Sequence, residues 1–338
     1  MKKYLILTAL ELERKAVLQL LTQTHPLVHP ETKTRYMEGQ WNGVKVTVGR
    51  TRATNVNSAA ETERAVAFLK PDYVFYLGVA GGLKDVKICD IVIGEDVYGY
   101  ERGKAAEGGF RPRPQFGKSS YELCEAIATF QYAESWQLLQ PTMYNERYQG
   151  PVEVFTGTIA AGEKVDASET SDLHQFLAQN CSHALAIEME GLGFLSAMHA
   201  RQGHEALLVR GISDLVEKKS ESDNEGNQHL AANIVAHFVL EFIAYLEEEE
   251  KVSAKSVPNS NSKFSPIIFF AKAYPGGVQD QGIWERAGGD LAQIPLSGTG
   301  KAQWANAIRL IKFGGGGHQI TLESLFEAAK SDGHQFNR

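Results

Sequence analysis

The sequence predicts an α/β protein: a mixed, mostly parallel sheet flanked by helices, followed by a small all-α domain at its C-terminal end. Three observations carry this expectation. From residue 1 to about 247, strand-length apolar runs alternate with helix-length runs of 3.6-residue periodicity. The composition then changes in EEEEKVSAKSVPNSNSK, a charge block and a Ser/Asn/Pro cluster, which reads as a solvated linker over 248–263. Over 264–338 helical patterning returns.

Taken in order, KYLILTAL is a strand and LERKAVLQLLTQ follows with the Leu and Val spacing of a helix. VKVTVGR is a strand, NSAAETERAVAFL a helix, and PDYVFYLGVAGGL a strand that breaks into a glycine turn. DIVIGEDVYGY, VEVFTGTIAAG, HALAIEME and EALLVRGISD are further strands, with helices such as NIVAHFVLEFIAYL between or after them. The strands are nearly continuous in apolar residues, as expected where both sheet faces are covered. In the tail, SPIIFFAKAY, QGIWERAG, KAQWANAIRLIKF and TLESLFEAAKSD read as short helices.

With 338 residues and 43% apolar content, the chain is long enough for one large core and a smaller one. A net charge of −7 argues against non-specific nucleic-acid binding, which needs a basic surface. Three cysteines, far apart and without a CxxC pair, read as reduced thiols of a cytoplasmic protein. The N-terminal apolar stretch is too short for a signal peptide, and no uninterrupted apolar run approaches the roughly 18 residues of a membrane span. The ten histidines show no HxH or HExxH spacing, so no metal is expected. GGGGH at 314–318 lacks the Gly-Lys-Ser/Thr of a phosphate loop and reads as a turn between helices. No cofactor is expected.

In open α/β sheets, ligands bind beyond the carboxyl ends of the strands. There the chain delivers Glu11 and Glu13 after KYLILTAL, and Ala80, Gly81 and Gly82 after the fifth apolar run. Glu188, Met189 and Glu190 follow ALAI, and Asp214 follows LLVRGIS. An acid after a strand also serves as a helix cap; several beside a Gly-Gly turn could instead converge on one ligand. A carboxylate can accept two vicinal hydroxyls. A buried, protonated one can donate to a leaving group, and an ionised one can take a proton from water. Together these would suffice to cleave an N-glycosidic bond, by analogy with glycoside hydrolysis.

AIEMEG, VRGISD, LGVAGGL with DIVIGEDVYGY, and the ALELE turn resemble, over residues 3–246, the 5'-methylthioadenosine/S-adenosylhomocysteine nucleosidases of the nucleoside phosphorylase-like superfamily. The resemblance implies that fold and an adenine nucleosidase. Glu13 would activate water, Glu190 would hold the ribose hydroxyls beside Met189, and Asp214 with Ser213 would protonate and bind the base. Val79, Ala80 and Gly81 would line the site. Val79 stands where the family usually carries a serine, and Val165 where it places an aromatic over the base; Phe155 and Tyr100 are candidates for stacking or simply core. A carboxylate at residue 13 would repel a phosphate nucleophile, which favours hydrolysis over phosphorolysis. Arg102, Lys104, Arg111 and Arg113 in YGYERGKAAEGGFRPRP, with Arg50 and Arg52, form either a solvated surface or a site for a 5'-phosphate chain, as in AMP through ATP.

RAGGD, LSGTGKAQW and the GGGG…ITLESL stretch resemble, over 264–334, the helical effector-associated domains of bacterial conflict systems. That likeness implies a protein partner recruited through 264–338 and an effector role in antiviral defence. Trp284 and Trp304 are expected as core or as contact anchors. The family likeness also implies a homodimer. Competing readings are a housekeeping nucleosidase, a purine nucleoside phosphorylase, and a non-catalytic nucleoside sensor.

Overall fold

The computed structural model describes residues 2–107, 109–139, 151–164, 170–201, 203–216, 225–254, 266–294, 296, 299–312, 315–317 and 320–334. The chain divides into two compact units, Met1–Val252 and Ser253–Arg338.

The strands of the first unit are β1 (Tyr4–Thr8), β2 (Thr22–Val28), β3 (Arg35–Trp41), β4 (Val44–Arg50), β5 (Tyr73–Gly82), β6 (Ile91–Gly99), β7 (Gly103–Ala106), β8 (Gly109–Pro112), β9 (Gln115–Lys118), β10 (Val154–Ala161), β11 (Ala186–Glu188) and β12 (Glu205–Leu215). Its helices are α1 (Glu11–Leu18), α2 (Asn55–Leu69), α3 (Tyr121–Phe130), α4 (Glu134–Leu139), α5 (Asp172–Asn180), α6 (Gly191–His199) and α7 (Glu225–Ala254). Among the described residues, ten strands form one sheet in the order β11-β10-β6-β12-β5-β1-β4-β3-β2, with β9 paired beside β6.

The sheet is mixed. β12, β5, β1 and β4 run parallel, as do β6, β10 and β11. The two sets meet antiparallel where β6 pairs β12, and β11 returns antiparallel onto the end of β5. Pairing therefore closes into a ring through β5, β12, β6, β10 and β11, and that closure builds the site. Gly99 lies opposite Ala161, and Ala161 opposite Glu188. Gly81 lies opposite both Ile187 and Asp214. Distant segments thus end in one row.

Alternate residues of β1 enter opposite apolar layers, Tyr4 and Ile6 on one face and Leu5 and Leu7 on the other. β2 and β3 make an antiparallel extension that the apolar pattern does not announce; β2 is exposed along nearly all its length. The helix α7 runs straight through the acid block, so residues 248–254, read as linker, are helical. Glu249 accepts from Tyr245 Oη at 2.7 Å, and Glu250 pairs with Lys2 at 3.2 Å, which gives the run local partners. Residues 255–263 lie outside the described ones. A stretch of α7 is long and apolar enough to cross a membrane, but 67% of that window is buried within the fold.

The second unit holds α8 (Pro266–Ala273), α9 (Ile283–Arg286), α10 (Gly300–Lys312) and α11 (Leu322–Ser331). Trp284 and Trp304 are fully buried in its core, and Trp304 Nε1 donates to Tyr274 O at 3.0 Å. Both are packing residues, not exposed anchors. A Cβ on Gly289 would sit 2.6 Å from Trp284 Cδ1, and one on Gly316 2.8 Å from its Cζ2. The RAGGD and GGGG motifs thus have a packing reason: they seat Trp284.

Candidate active site

Glu13 stands in the first turn of α1 with its side chain folded back. Its Oε2 accepts from Ala9 N–H at 2.9 Å and Leu10 N–H at 2.8 Å, and its Oε1 accepts from Val79 N–H at 2.9 Å. The side chain thus caps its own helix and clamps the end of β5. Burial lifts its carboxyl above the ordinary glutamate range, against the pull of Arg210 and those three donors. Among the described residues Oε1 accepts one bond, which leaves it a second lone pair.

Arg210, at 0% exposure on β12, is the centre of the cluster. Its Nη2 donates to Glu188 Oε2 and, at 3.1 Å, to Glu190 Oε2. Its guanidinium lies 5.0 Å from the Tyr76 ring centre. A Cβ at Gly78 would run into Arg210 Nη1 and stand 2.6 Å from Glu13 Oε1, so glycine is what lets these two groups meet over β5. Burial works against the guanidinium charge, but Glu188, Glu190 and Glu13 around it hold the pKa above its usual value.

Glu188 and Glu190 divide the work. Glu188 accepts from Glu190 N–H at 2.9 Å and Gly191 N–H at 2.8 Å, and so caps α6 while binding Arg210. Among the described residues, Glu190 takes one backbone bond, from Thr54 N–H at 3.2 Å on Oε1. Burial lifts its carboxyl to about 7, with Glu188 and Glu13 adding and Arg210 opposing. Met189 is half-buried between them. Thr54 lies in a loop whose Arg52 and Thr54 have φ of 71° and 92°. The loop is pinned where Asn55 Oδ1 accepts from Gly193 N–H at 2.9 Å and its Nδ2 donates to Gly162 O at 3.0 Å.

Asp214 is re-aimed by a bulge. Between Ile212, opposite Ala80, and Asp214, opposite Gly81, Ser213 is the extra residue. Its Oγ donates to Asp214 Oδ2 at 2.8 Å and reaches Ala80 O at 3.4 Å. A Cβ at Gly81 would lie 3.3 Å from Asp214 Oδ1. The end of β5 therefore serves two neighbouring groups: Glu13 and Arg210 meet at Gly78, with Glu190 joined through Arg210, and Asp214 lies beside Gly81 three residues further along the strand.

The basic residues do not act as one group. Arg50 is tied to Glu11 at 3.0 Å, and Arg52 is exposed on the strained loop. Lys104 and Arg111 lie on an exposed two-stranded ribbon of β7 and β8, and the exposed Arg102 and Arg113 flank its root, where the glycine-rich sequence suggests a loop. Val165 lies outside the described residues. Tyr100 is core, and Phe155 is packed against core. Sequence reasoning passed over Arg210; its one signal is a charge inside an otherwise apolar strand, which requires a buried counter-charge.

Residues 3–244 match the family model described as Phosphorylase superfamily. The ATP nucleosidase Cap17 of Escherichia coli is 30% identical over 55% of this chain, and the chain spans 38% of that protein's own length. The 5'-methylthioadenosine/S-adenosylhomocysteine nucleosidase of Desulfotalea psychrophila is 27% identical over 63% of this chain and 86% of its own. In fold, the Neisseria meningitidis nucleosidase in complex with methylthio-immucillin-A aligns with a TM-score of 0.59 at 20% identity, over 72% of this chain and all of its own. With the ring-closed sheet and its strand-end acids, the match over residues 3–244 shows that the chain belongs to the phosphorylase superfamily.

Proposed function

We propose that this protein is an adenine nucleosidase that hydrolyses the N-glycosidic bond of an adenine nucleoside or nucleotide. The observation that carries the reading is the buried meeting of Glu13 and Arg210 at Gly78, with Glu190 held by the same arginine and Asp214 set beside Gly81 on the same strand. Glu190 accepts the ribose hydroxyls. Asp214, oriented by Ser213, donates its proton to N7 of the base, and the N9–C1' bond breaks with its electron pair going to adenine. Glu13 takes a proton from water through the open lone pair of Oε1, and the water oxygen bonds to C1'. Both acids then return to their starting states by exchange with solvent. Arg210 keeps Glu190 placed and offsets part of the acid charge in a buried site.

Similarity to an ATP nucleosidase supports a nucleotide substrate, and similarity to methylthioadenosine/adenosylhomocysteine nucleosidases supports the thioether nucleosides. The chromatographic test incubates the full chain with adenosine, methylthioadenosine, adenosylhomocysteine, AMP and ATP, with and without phosphate. Adenine released without phosphate is expected. A phosphate requirement would replace hydrolysis with phosphorolysis, and no adenine from any substrate would leave a binding protein. In E13Q, adenine release from folded protein falls by about 10²–10⁴-fold, and the melting temperature drops as well, because an amide offers one acceptor oxygen to the three N–H groups the carboxylate holds.

We further read the protein as a cytoplasmic homodimer and an effector of bacterial antiviral defence, with 264–338 recruiting a protein partner. The separate, fully formed core of the tail supports an independent module. Phage-challenged cells carrying the full chain are expected to lose adenine nucleotides, and cells carrying a chain cut at 263 are not. Equal loss in both would remove the tail from the role.

A further inference from the structure

We infer that the β7–β8 ribbon is a two-rung cradle for the phosphate chain of a nucleoside polyphosphate, and that its outer rung reads chain length. The inference rests on the adenine nucleosidase reading and deepens it. The pairing places Lys104 directly opposite Arg111, and Gly103 opposite Pro112. Arg113 N–H donates to Arg102 O at 2.8 Å, which extends the ladder by one more pair. Side chains alternate along a strand, so rungs 102/113 and 104/111 share one face. All four cations therefore point the same way.

The opposite face carries the ribbon's aromatic side chain. A Cβ on Gly103 would run into the Phe110 ring and lie 2.5 Å from Arg111 O. The Phe110 ring covers Gly103 and packs against Phe176 at 5.8 Å. Phe110 remains 46% exposed on that face, and the cations occupy the other one. None of the four makes an ion pair or side-chain hydrogen bond with a described residue. The acid at the ribbon's root, Glu101, is paired with Lys164 at 3.4 Å. Like charges directly opposite in an antiparallel pair are destabilising, and this ribbon stacks two such rungs. An anion between them removes that repulsion.

Position and spacing name the anion. The strand feeding the ribbon ends at Gly99, in the same row as Ala161 and Glu188. Two strand spacings, about 10 Å, separate Gly99 from Glu188, within reach of a phosphate chain on a ribose held by Glu190. The rungs are two residues apart, about 6.6 Å. Neighbouring phosphates lie closer together than that, whereas the first and third of a triphosphate approach it. The root rung, Arg102 and Arg113, meets the first phosphate; the outer rung, Lys104 and Arg111, meets the later ones.

The test measures kcat/KM for adenine release from adenosine, AMP, ADP and ATP in wild type, R102Q/R113Q, K104Q/R111Q and the charge-keeping K104R/R111K. K104Q/R111Q is expected to lower the ATP value at least 30-fold, with the loss on AMP at least tenfold smaller. R102Q/R113Q is expected to lower AMP, ADP and ATP together, more than adenosine. K104R/R111K restores ATP cleavage, which a merely folded ribbon would not require. Inorganic tripolyphosphate should inhibit wild type on ATP and lose that effect in K104Q/R111Q. Equal losses on all four substrates would overturn the cradle while leaving the nucleosidase standing. Wild type inert on every substrate would instead remove the nucleosidase reading on which the cradle depends.

Discussion

Glycine does the same steric job in both units of this chain, with opposite consequences. At Gly78 it admits a guanidinium and a carboxylate side by side into a buried space. At Gly289 and Gly316 it admits the indole of Trp284 into an apolar core. The second arrangement returns burial energy and nothing else. The first places charges where desolvation works against them, and the carboxyls of Glu13 and Glu190 move upward as a result. Buried charge of this kind is weak evidence for stability and better evidence for chemistry.

The largest expected effects come from removing one partner of each arrangement. R210M leaves Glu188 and Glu190 facing each other without their cation and should lower stability by about 3–5 kcal/mol, with adenine release lost. W284A should cost a similar 3–5 kcal/mol in its own unit, while folded protein keeps its rate of adenine release. Denaturant unfolding and a single-substrate assay on the same samples separate the two. A third variant sharpens the contrast: E188L/R210M/E190L removes the arginine with both acids it donates to, leaving Glu13 on its three backbone donors, and should regain part of the stability lost in R210M, but none of the activity. If the triple variant stayed as unstable as R210M, the cluster would be structural rather than kept for catalysis.

Smaller effects are expected at the glycines themselves. G78A forces a methyl between Arg210 and Glu13, and G289A forces one into the Trp284 ring. Overpacking of this kind costs about 1–3 kcal/mol. Similar shifts in unfolding midpoint are expected, with kcat falling in G78A alone. A drop in kcat for G289A of the same size would erase the distinction between the units.

These glycines also show where sequence reading stops. GVAGG and GGGG look like turns in a string of letters, because the large side chain that needs the space comes from elsewhere: Arg210 lies more than a hundred residues beyond Gly78. Acids at strand ends were legible, since a carboxylate after an apolar run stands out. Their placement along the end of β5 was not, because it depends on β11 returning onto β5 and on the bulge at Ser213. Arg210 hid inside LLVRGIS, where an apolar strand reads through one charge. The β7–β8 ribbon hid in a Gly- and Arg-rich stretch that matches no apolar periodicity. β2 escaped for the same reason, since an exposed edge strand needs no apolar run, and β3, paired between β2 and β4, is only partly buried and carries polar residues through its length.

The gentlest expected difference between the units is their response to pH. Glu190 titrates near 4.5 when unperturbed and at about 7 in the fold, through burial first and the neighbouring acids second. The folded chain therefore holds a proton that the unfolded chain has already released between those values. This contribution is fully present below about pH 4.5 and is lost as pH rises towards 7, so stability falls with rising pH in that window. Glu13, also raised, acts in the same sense. His237, which burial pushes down, acts oppositely below its ordinary 6.5, so the informative readout is the difference between variants rather than the bare slope. In the second unit, Asp332 is held near 2 by Arg286 and Tyr274, well outside the window. Urea midpoints at pH 5 and pH 8 should show wild type losing more stability over that interval than E190Q, and E13Q/E190Q losing least. Because the carboxyls share one arginine, the proton belongs to the cluster rather than to either residue. An E190Q midpoint that falls as steeply as wild type would mean that Glu190 is ionised throughout the range, and that the buried arginine fully offsets the desolvation of its acids.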